Sequence, residues 1–289
     1  MDKRLGPKFK RLLAPWSNTL PSRALVKATY GIFRIAKSCR NVDYFYDERE
    51  RVWIGRAGDT FLALGFHLAR NFPYQLAPRI EYLLRGARDC WLFDYVPQAG
   101  DTVVDIGAGD GTDTLIFSKL VGDTGRVIAV EAHPQTLRLL RATCKYNNLK
   151  NVEIVPKAIM GTVGTVAMTD SELHVENRAK ANANNATGNI VPATTLDNLF
   201  DALHLDRVAL LKMNIEGAEL DAMGGMARAI GKVEHAGIAC HDFLQSPGTT
   251  TIKRAVETFM TEHDFPMRTR ADDPRSHVRD HLHFTRRGL

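Results

Sequence analysis

A glycine-rich loop between an apolar run and a helical pattern constrains the fold of this 289-residue chain more than any other feature. Thr102 to Ile106 is short and apolar, which predicts a buried strand. Gly107, Gly109 and Gly111 follow it, and a helical pattern begins at Thr112. Glycine lets the backbone turn tightly and lets a ligand lie close against it. The loop therefore predicts an α/β fold with a ligand site beside it.

From residue 96 onward, predicted strands alternate with predicted helices, which indicates a mostly parallel sheet with helices on both faces. The last two strands form an expected pair at the end of the chain. The strands are predicted over residues 102–106, 126–130, 152–155, 208–215, 233–240, 265–270 and 281–286, and the helices over residues 112–120, 134–147, 195–203, 217–230 and 249–263.

The chain divides into three predicted parts: a basic arm at residues 1–45, a helical cap at 46–95 and the α/β domain at 96–289. Residues 1–40 contain ten Lys or Arg and one acid, which gives them a net charge of +9. Because the whole chain has a net charge of +5, residues 41–289 have a net charge of −4. A basic arm of this kind is either a solvated segment or a contact for an anionic surface such as a membrane. A polar loop is expected over 170–192, where it would shape the site together with the cap.

Composition limits the class of protein and its compartment. With 44% hydrophobic and 25% charged residues, the chain has globular composition, which excludes a disordered or collagen-like protein. Four scattered cysteines without a C-x-x-C pair argue against a disulfide framework and a zinc site. We find neither an apolar run long enough to cross a bilayer nor a signal peptide, so we expect a cytoplasmic protein, with membrane contact only through the arm.

The charges of the glycine loop indicate which ligand it binds. Asp105, Asp110 and Asp113 lie in or beside the loop, and no Lys or Arg accompanies them. Carboxylates repel a phosphate and favour a cation, so we expect S-adenosylmethionine, which carries a sulfonium and an ammonium and no phosphate. The alternative explanation for Asp110 and Asp113 is stabilisation of a helix N-terminus by acidic residues.

Glu131 ends the second predicted strand, twenty residues after Gly111. A carboxylate at this place can accept hydrogen bonds from both ribose hydroxyls of an adenosine ligand. Enzymes that bind NAD use the same device, so Glu131 supports an adenosine ligand without choosing between the two cofactors.

Three segments resemble a known family. Residues 105–111 (Asp-Ile-Gly-Ala-Gly-Asp-Gly) and 131–134 (Glu-Ala-His-Pro) resemble the first two motifs of class I S-adenosylmethionine-dependent methyltransferases. Residues 211–219 (Leu-Lys-Met-Asn-Ile-Glu-Gly-Ala-Glu), preceded by 195–197 (Thr-Leu-Asp), resemble the signature of FkbM-type methyltransferases. That family usually has Asp where this chain has Asn214.

The resemblance implies a Rossmann-like, seven-stranded sheet with the cofactor over the carboxyl ends of its strands. It implies that the glycine loop holds the methionine part of the cofactor, that Glu131 holds the ribose, and that the segment after the third strand holds the adenine. The residues expected to bind the cofactor are Asp105, Gly107, Ala108, Gly109, Asp110, Thr112, Asp113, Glu131, Ala132, His133, Lys157, Ala158 and Asn214.

The predicted catalytic residues are Glu216, Glu219 and His241, which follow the fourth and fifth strands of the domain. A hydroxyl is a poor nucleophile unless a base takes its proton. Family members mostly methylate oxygen atoms, so we expect O-methylation of a sugar, natural product or lipid-linked hydroxyl. A divalent metal bound by Asp242, Glu216 and Asn214 is an alternative to the base, although we expect no metal.

Two other functions remain as alternatives. The glycine loop is also compatible with a nucleotide-dependent oxidoreductase, and the basic arm with a non-catalytic membrane-associated module. Methylation of nucleic-acid bases is not expected, because residues 214–217 (Asn-Ile-Glu-Gly) lack the aromatic side chain that would stack a flipped base.

Overall fold

A seven-stranded sheet forms the centre of the protein. A computed structural model describes residues 42–65, 76–168, 179–180, 189–242 and 251–289. In the central sheet the strands run in the order β13-β14-β12-β11-β4-β5-β6, with β14 antiparallel to both of its neighbours and the other pairs parallel. Its strands are β4 (Thr102–Ile106), β5 (Arg126–Val130), β6 (Val152–Val155), β11 (Val208–Met213), β12 (Val233–Ala239), β13 (Met267–Thr269) and β14 (His281–Thr285).

The central strands are apolar because both faces of the sheet are covered. Every residue of β11 is buried, and so are the last four residues of β4 and of β5. Continuous apolar runs of this kind are typical of parallel strands between two helical layers. The helices are α1 (Leu76–Trp91), α2 (Thr112–Val121), α3 (Pro134–Tyr146), α4 (Leu196–Ala202), α5 (Glu219–Met223), α6 (Ile252–Glu262) and α7 (Ser276–Arg279).

The sequence predictions for this domain are largely confirmed. The α/β class, the mostly parallel sheet and its final antiparallel pair are all present. The order of strands reverses between β4 and β11, which are neighbours in the sheet but far apart in the chain. Ligands of open α/β sheets bind at such a reversal, beyond the carboxyl ends of the strands.

The helix predicted over 217–230 is wrong. The chain forms the short α5 and a separate 3-10 turn at Ala229–Lys232, with Gly224 and Gly225 between them. A β-carbon on Gly225 would lie 2.8 Å from the Thr195 side chain and from the carbonyl oxygen of Met160. Close packing of the backbone against these groups explains why glycine stands there and why the helix ends.

The helical cap predicted over 46–95 is wrong in its first half. Residues 42–64 form an antiparallel sheet of β1 (Val42–Asp47), β2 (Val52–Ala57) and β3 (Thr60–Leu64), and α1 is the helix that the structure describes in this segment. The sequence signal for this sheet is a two-residue turn of Gly58 and Asp59 between runs of aromatic and β-branched residues. Gly58 has φ 63° in this turn.

This small sheet packs on α3. Asp47 at the end of β1 accepts hydrogen bonds from Lys145 and Tyr146 of α3, both at 2.8 Å. On β3, the amide nitrogen of Ala63 donates to the Thr143 hydroxyl at 3.1 Å. The sheet is therefore bound to the helix that follows β5.

A second sheet, not predicted from the sequence, follows β6. Its order is β7-β10-β8-β9, from β7 (Ala158–Ile159), β8 (Gly164–Met168), β9 (Ala179–Lys180) and β10 (Asn189–Thr194). Most of the loop predicted over 170–192 lies outside the described residues, and so does nearly all of the basic arm. Across the described ranges, no helix combines the length and the apolar character needed to span a membrane.

Candidate active site

A cavity of about 350 Å³ opens beyond the carboxyl ends of β4, β5 and β11. Twelve of the predicted cofactor-binding residues line it, and among the predicted catalytic residues Glu216 does so. The predicted residues on its wall are Gly107, Ala108, Gly109, Asp110, Thr112, Asp113, Glu131, Ala132, His133, Lys157, Ala158, Asn214 and Glu216. The structure thus brings together segments from four separate parts of the sequence.

The glycine loop passes between β5 and the segment after β11. The amide nitrogens of Gly107 and Ala108 donate to the Val130 carbonyl oxygen at 2.9 and 3.0 Å. Gly107 has φ 74°, and a β-carbon there would lie 1.9 Å from the Asn214 carbonyl oxygen. Gly109 also has positive φ, 61°, but nothing lies within 4 Å of its β-carbon position. Gly107 therefore serves packing, whereas Gly109 leaves open space on the cavity wall.

Glu131 is held at the cavity by two backbone donors. Its Oε2 accepts from the Gly109 amide nitrogen at 3.0 Å, and its Oε1 accepts from that of His133 at 2.8 Å. Each carboxylate oxygen can accept a further hydrogen bond. Burial raises the pKa of Glu131 to about 7, although both backbone donors oppose the rise. This carboxylate can therefore hold a pair of hydroxyl groups, and it titrates in the neutral range.

Asp105, which we expected to contact the cofactor, does not line the cavity. Its side chain is fully buried behind the cavity wall, where Oδ1 lies 2.9 Å from Nζ of Lys212 and Oδ2 accepts from the Thr114 hydroxyl at 2.6 Å. The charge of Asp105 is thus directed to a lysine, not to a ligand. Of the three acidic residues of the loop, Asp110 and Asp113 line the cavity.

Lys212 is the main residue that the sequence reasoning missed. It is 1% exposed, and its Nζ donates to the Gly107 carbonyl oxygen at 2.7 Å and lies 3.5 Å from Oδ2 of Asp113. Burial opposes the charge of this lysine, but Asp105 and Asp113 outweigh it and raise the pKa of Lys212. The signal for it in the sequence is a lysine inside the otherwise apolar run of β11. A buried charge requires partners, so a lysine in such a run indicates that an acidic side chain lies beside it.

Asp110 and Asp113 play different parts at the start of α2. Oδ1 of Asp110 accepts from the amide nitrogen and the hydroxyl of Thr112, which is the helix-stabilising role considered as the alternative. Burial raises the pKa of Asp113 to about 6, against the attraction of Lys212. Asp113 therefore brings a carboxyl group with a raised pKa to the cavity wall.

Asn214 shows an unfilled capacity on the wall. Among the described residues, its buried Oδ1 is one of the few side-chain atoms with no hydrogen-bond partner. A buried acceptor without a donor is costly and is usually satisfied by a ligand or water. Together with the open space at Gly109 and the carboxylate of Glu131, it fits a cofactor with an ammonium or amide donor and a ribose.

Only one of the three predicted catalytic side chains reaches the cavity. Glu216 lines it, with backbone φ 54°. Glu219 is fully buried, is absent from the cavity wall and accepts from the amide nitrogens of Ile215 and Gly217 at 3.1 and 2.8 Å. His241 lies between the two carboxylates and is likewise absent from the cavity wall.

A mostly apolar part of the remaining wall comes from α1. Its side includes Leu83, Ala87, Cys90 and Trp91, with Tyr82 largely exposed at 61%. From the segment predicted as a cap, α1 is thus the element that contributes to the cavity wall. Among the described residues, no group of three His, Cys, Asp or Glu side chains is placed to hold a metal ion; the alternative set that includes Asn214 stays a prediction.

A family model described as "Methyltransferase FkbM domain" matches residues 105–267, which is more than half of the chain. The chain belongs to the FkbM methyltransferase family. This assignment confirms the predicted family and, with it, S-adenosylmethionine as the cofactor. It gives no support to the oxidoreductase or to the non-catalytic module.

Sequence relatives of this FkbM methyltransferase match it over short stretches. An arsenite methyltransferase of Halobacterium salinarum is 32% identical over 26% of this chain and 18% of its own length. A protein-L-isoaspartate O-methyltransferase of Archaeoglobus fulgidus is 29% identical over 34% of this chain and 39% of its own length. The chain therefore spans less than half the length of these relatives, and their names indicate two different acceptors.

Two solved structures that are similar to this FkbM methyltransferase share little of its sequence. Fibrillarin of Aeropyrum pernix, solved with bound S-adenosyl-L-methionine, is 16% identical with a TM-score of 0.44, over 84% of this chain and 96% of that chain. An S-adenosylmethionine-dependent O-methyltransferase of Thermotoga maritima is 13% identical with a TM-score of 0.39, over 72% of this chain and 64% of that chain.

Alanine at Gly107 should mainly reduce stability, whereas alanine at Gly109 should mainly weaken cofactor binding. Gly107→Ala places a β-carbon 1.9 Å from backbone, so we expect a loss of several kcal/mol of stability or failure to fold. Gly109→Ala meets no atom and should fold at a cost of about 1 to 2 kcal/mol for its positive φ, while its methyl group weakens cofactor binding. Urea unfolding and titration calorimetry with S-adenosylhomocysteine measure the two effects; equal stability losses would contradict this division.

Replacing Lys212 should destabilise the protein through its partner. Lys212→Met leaves the buried Asp105 carboxylate without its cation, a change that typically costs about 3–5 kcal/mol. In the double variant Asp105→Asn with Lys212→Met, part of that loss should return, because no uncompensated charge remains at position 105. Urea unfolding at pH 7 of both variants and of Asp105→Asn gives the coupling; additive losses would refute the pairing.

Proposed function

We propose that this protein transfers the methyl group of S-adenosylmethionine to a hydroxyl oxygen of a sugar, natural product or lipid-linked acceptor. The observation that carries the proposal is the Glu216 carboxylate on the wall of the same cavity that the cofactor-binding residues line. An acceptor hydroxyl needs such a base, since its oxygen becomes a good nucleophile only as its proton leaves.

The residues present fit the cofactor. Glu131 offers two carboxylate oxygens to the ribose hydroxyls, Gly109 leaves room beside the loop, and Asn214 offers an unpaired acceptor oxygen. Lys157 and Ala158 line the side assigned to the adenine. When bound, S-adenosylmethionine supplies a methyl group already activated by its positively charged sulfur.

The protein contributes alignment, charge and a proton acceptor. Methyl transfer is an in-line displacement, so the main requirement is to hold the reacting oxygen about 3–3.5 Å from the methyl carbon. The α1 wall, with Leu83 and Trp91, would bind the body of the acceptor. Glu216 would take the hydroxyl proton on a carboxylate oxygen as the new C–O bond forms and the C–S bond breaks with its electron pair remaining on sulfur.

Cofactor binding should weaken as Glu131 gains a proton. The pKa of Glu131 is about 7, and a protonated carboxyl loses acceptor capacity toward two hydroxyls. We expect the dissociation constant of S-adenosylhomocysteine to rise roughly tenfold as the pH falls from 8 to 6, which is the loss of about one charged hydrogen bond. Calorimetry at several pH values checks this.

The variant Glu131→Gln separates this effect from the titration of Asp113, whose pKa is about 6. In that variant the change between pH 8 and 7 should disappear, and any step near pH 6 should remain. An unchanged pH profile in Glu131→Gln would show that Glu131 does not hold the ligand.

Methyl transfer to oxygen should depend on Glu216. Incubation with S-adenosylmethionine and panels of glycosides, phenols, lipid alcohols and amines should give a 14 Da gain only on hydroxyl compounds. Glu216→Gln should lower that rate by about 10²–10⁴-fold, the usual worth of a positioned base. Mass spectrometry of the products measures both results.

The matched control is Glu257→Gln, which removes the same charge from an exposed position on α6 and should retain full activity. Methylation of amines alone, or an unaffected Glu216→Gln rate on a hydroxyl acceptor, would contradict the proposal.

A further inference from the structure

Glu219, His241 and Glu216 form a row that runs from the protein interior to the cavity. Nδ1 of His241 lies 3.2 Å from Oε1 of Glu219, and Nε2 of the same ring lies 3.5 Å from Oε2 of Glu216. The two ring nitrogens thus face two different carboxylates. An imidazole can donate from both nitrogens only when it carries a proton on each, which is the cationic form.

The inner end of the row is rigid. The Glu219 side chain is wholly buried, and the amide nitrogens of Ile215 and Gly217 donate to its two oxygens. Both donors belong to the segment that contains Glu216. Glu219 therefore fixes the backbone on either side of Glu216 and orients the His241 ring at the same time.

The outer end of the row is strained. Glu216 has φ 54°, a left-handed conformation that costs energy in a residue with a β-carbon and persists only where the surroundings impose it. Gly217 follows at φ 100°. The segment thus leaves β11, turns sharply and presents the Glu216 side chain on the cavity wall.

The charges around His241 are predominantly acidic. Glu216 and Glu219 face it from the segment after β11, and Asp280, just before β14, adds a third carboxylate. The adjacent Asp242 has its Oδ1 engaged by the Lys253 amide nitrogen of α6. Burial disfavours the cationic form of His241, but the carboxylates of Glu219, Glu216 and Asp280 outweigh burial and raise the pKa of His241.

We propose that His241 is a positioning residue which, held by Glu219, sits as a cation behind Glu216 and keeps that side chain a charged carboxylate at the cavity. This inference rests on the proposed function, in which Glu216 accepts a proton, since a proton acceptor must be deprotonated before it can act. It assigns Glu219 and His241 no contact with cofactor or acceptor. Glu216 alone would meet the substrate.

The test is a histidine titration by NMR on the full chain. In the wild type, the His241 ring should titrate above 6.5, the ordinary value for histidine. Glu216→Gln removes one of the charges that face His241, and the replaced side chain is itself not buried. It should lower the His241 midpoint by about one pH unit, as expected for loss of a neighbouring opposite charge. The His241 signal is assigned by its absence in His241→Asn.

Reciprocity makes the test sharper. The signal of the Glu216 carboxyl carbon is assigned by its loss in Glu216→Gln. Its midpoint should rise in His241→Asn by the amount that the His241 midpoint falls in Glu216→Gln, because the coupling between two sites is mutual. Asn keeps a donor toward Glu219, so the backbone around Glu216 is retained. A purely structural role of His241 would leave the Glu216 midpoint where it is.

His204→Asn is the matched control. This histidine is exposed, lies in the loop between α4 and β11 and has φ 53°, a conformation that Asn tolerates. It should move neither midpoint. A His241 midpoint at or below the ordinary value, or one that Glu216→Gln leaves unchanged, overturns the inference.

Failure of this inference differs from failure of the proposed function. If the midpoints are coupled but no hydroxyl compound gains 14 Da, the charged row stands and O-methylation fails. If hydroxyl compounds are methylated but the midpoints are independent, the function stands and His241 has no such role.

Discussion

The ion cluster of Lys212 with Asp105 and Asp113 is the interaction on which the site depends. It joins the two strands at which the order of the sheet reverses, β4 and β11, and it fixes the glycine loop through the Gly107 carbonyl oxygen. Lys212 and Asp105 are fully buried, so removal of either one leaves the other as a buried charge without its partner. The loop, the first turn of α2 and the end of β11 are thus held in one arrangement.

The fold was predictable because its signals are local and repeated. Buried parallel strands are recognisable as apolar runs, and the glycine loop marks where the first one ends. The first sheet is not predicted because β2 and β3 lie within the segment expected to be a helical cap, and the diagnostic turn at Gly58 is only two residues long. The second sheet was missed because β7 and β9 have two residues each.

The positions of the site residues were predictable, but the directions of their charges were not. Spacing placed Asp105 near the ligand, and it does lie near, but its side chain points into the interior because Lys212 is there. That pairing joins residues more than a hundred positions apart, which no local pattern shows. In the same way, the sequence identified Glu216, Glu219 and His241, whereas only the structure separates the residue that reaches the cavity from the two behind it.

The contact between Glu131 and the Gly109 amide nitrogen has a consequence for how the cofactor exchanges. The loop is already held at Gly107 and Ala108 by the Val130 carbonyl oxygen and at Gly109 by Glu131. Binding then orders little backbone, and a preformed pocket loses little conformational entropy on association. Spent cofactor can therefore leave and fresh cofactor can enter without the loop unfolding between turnovers.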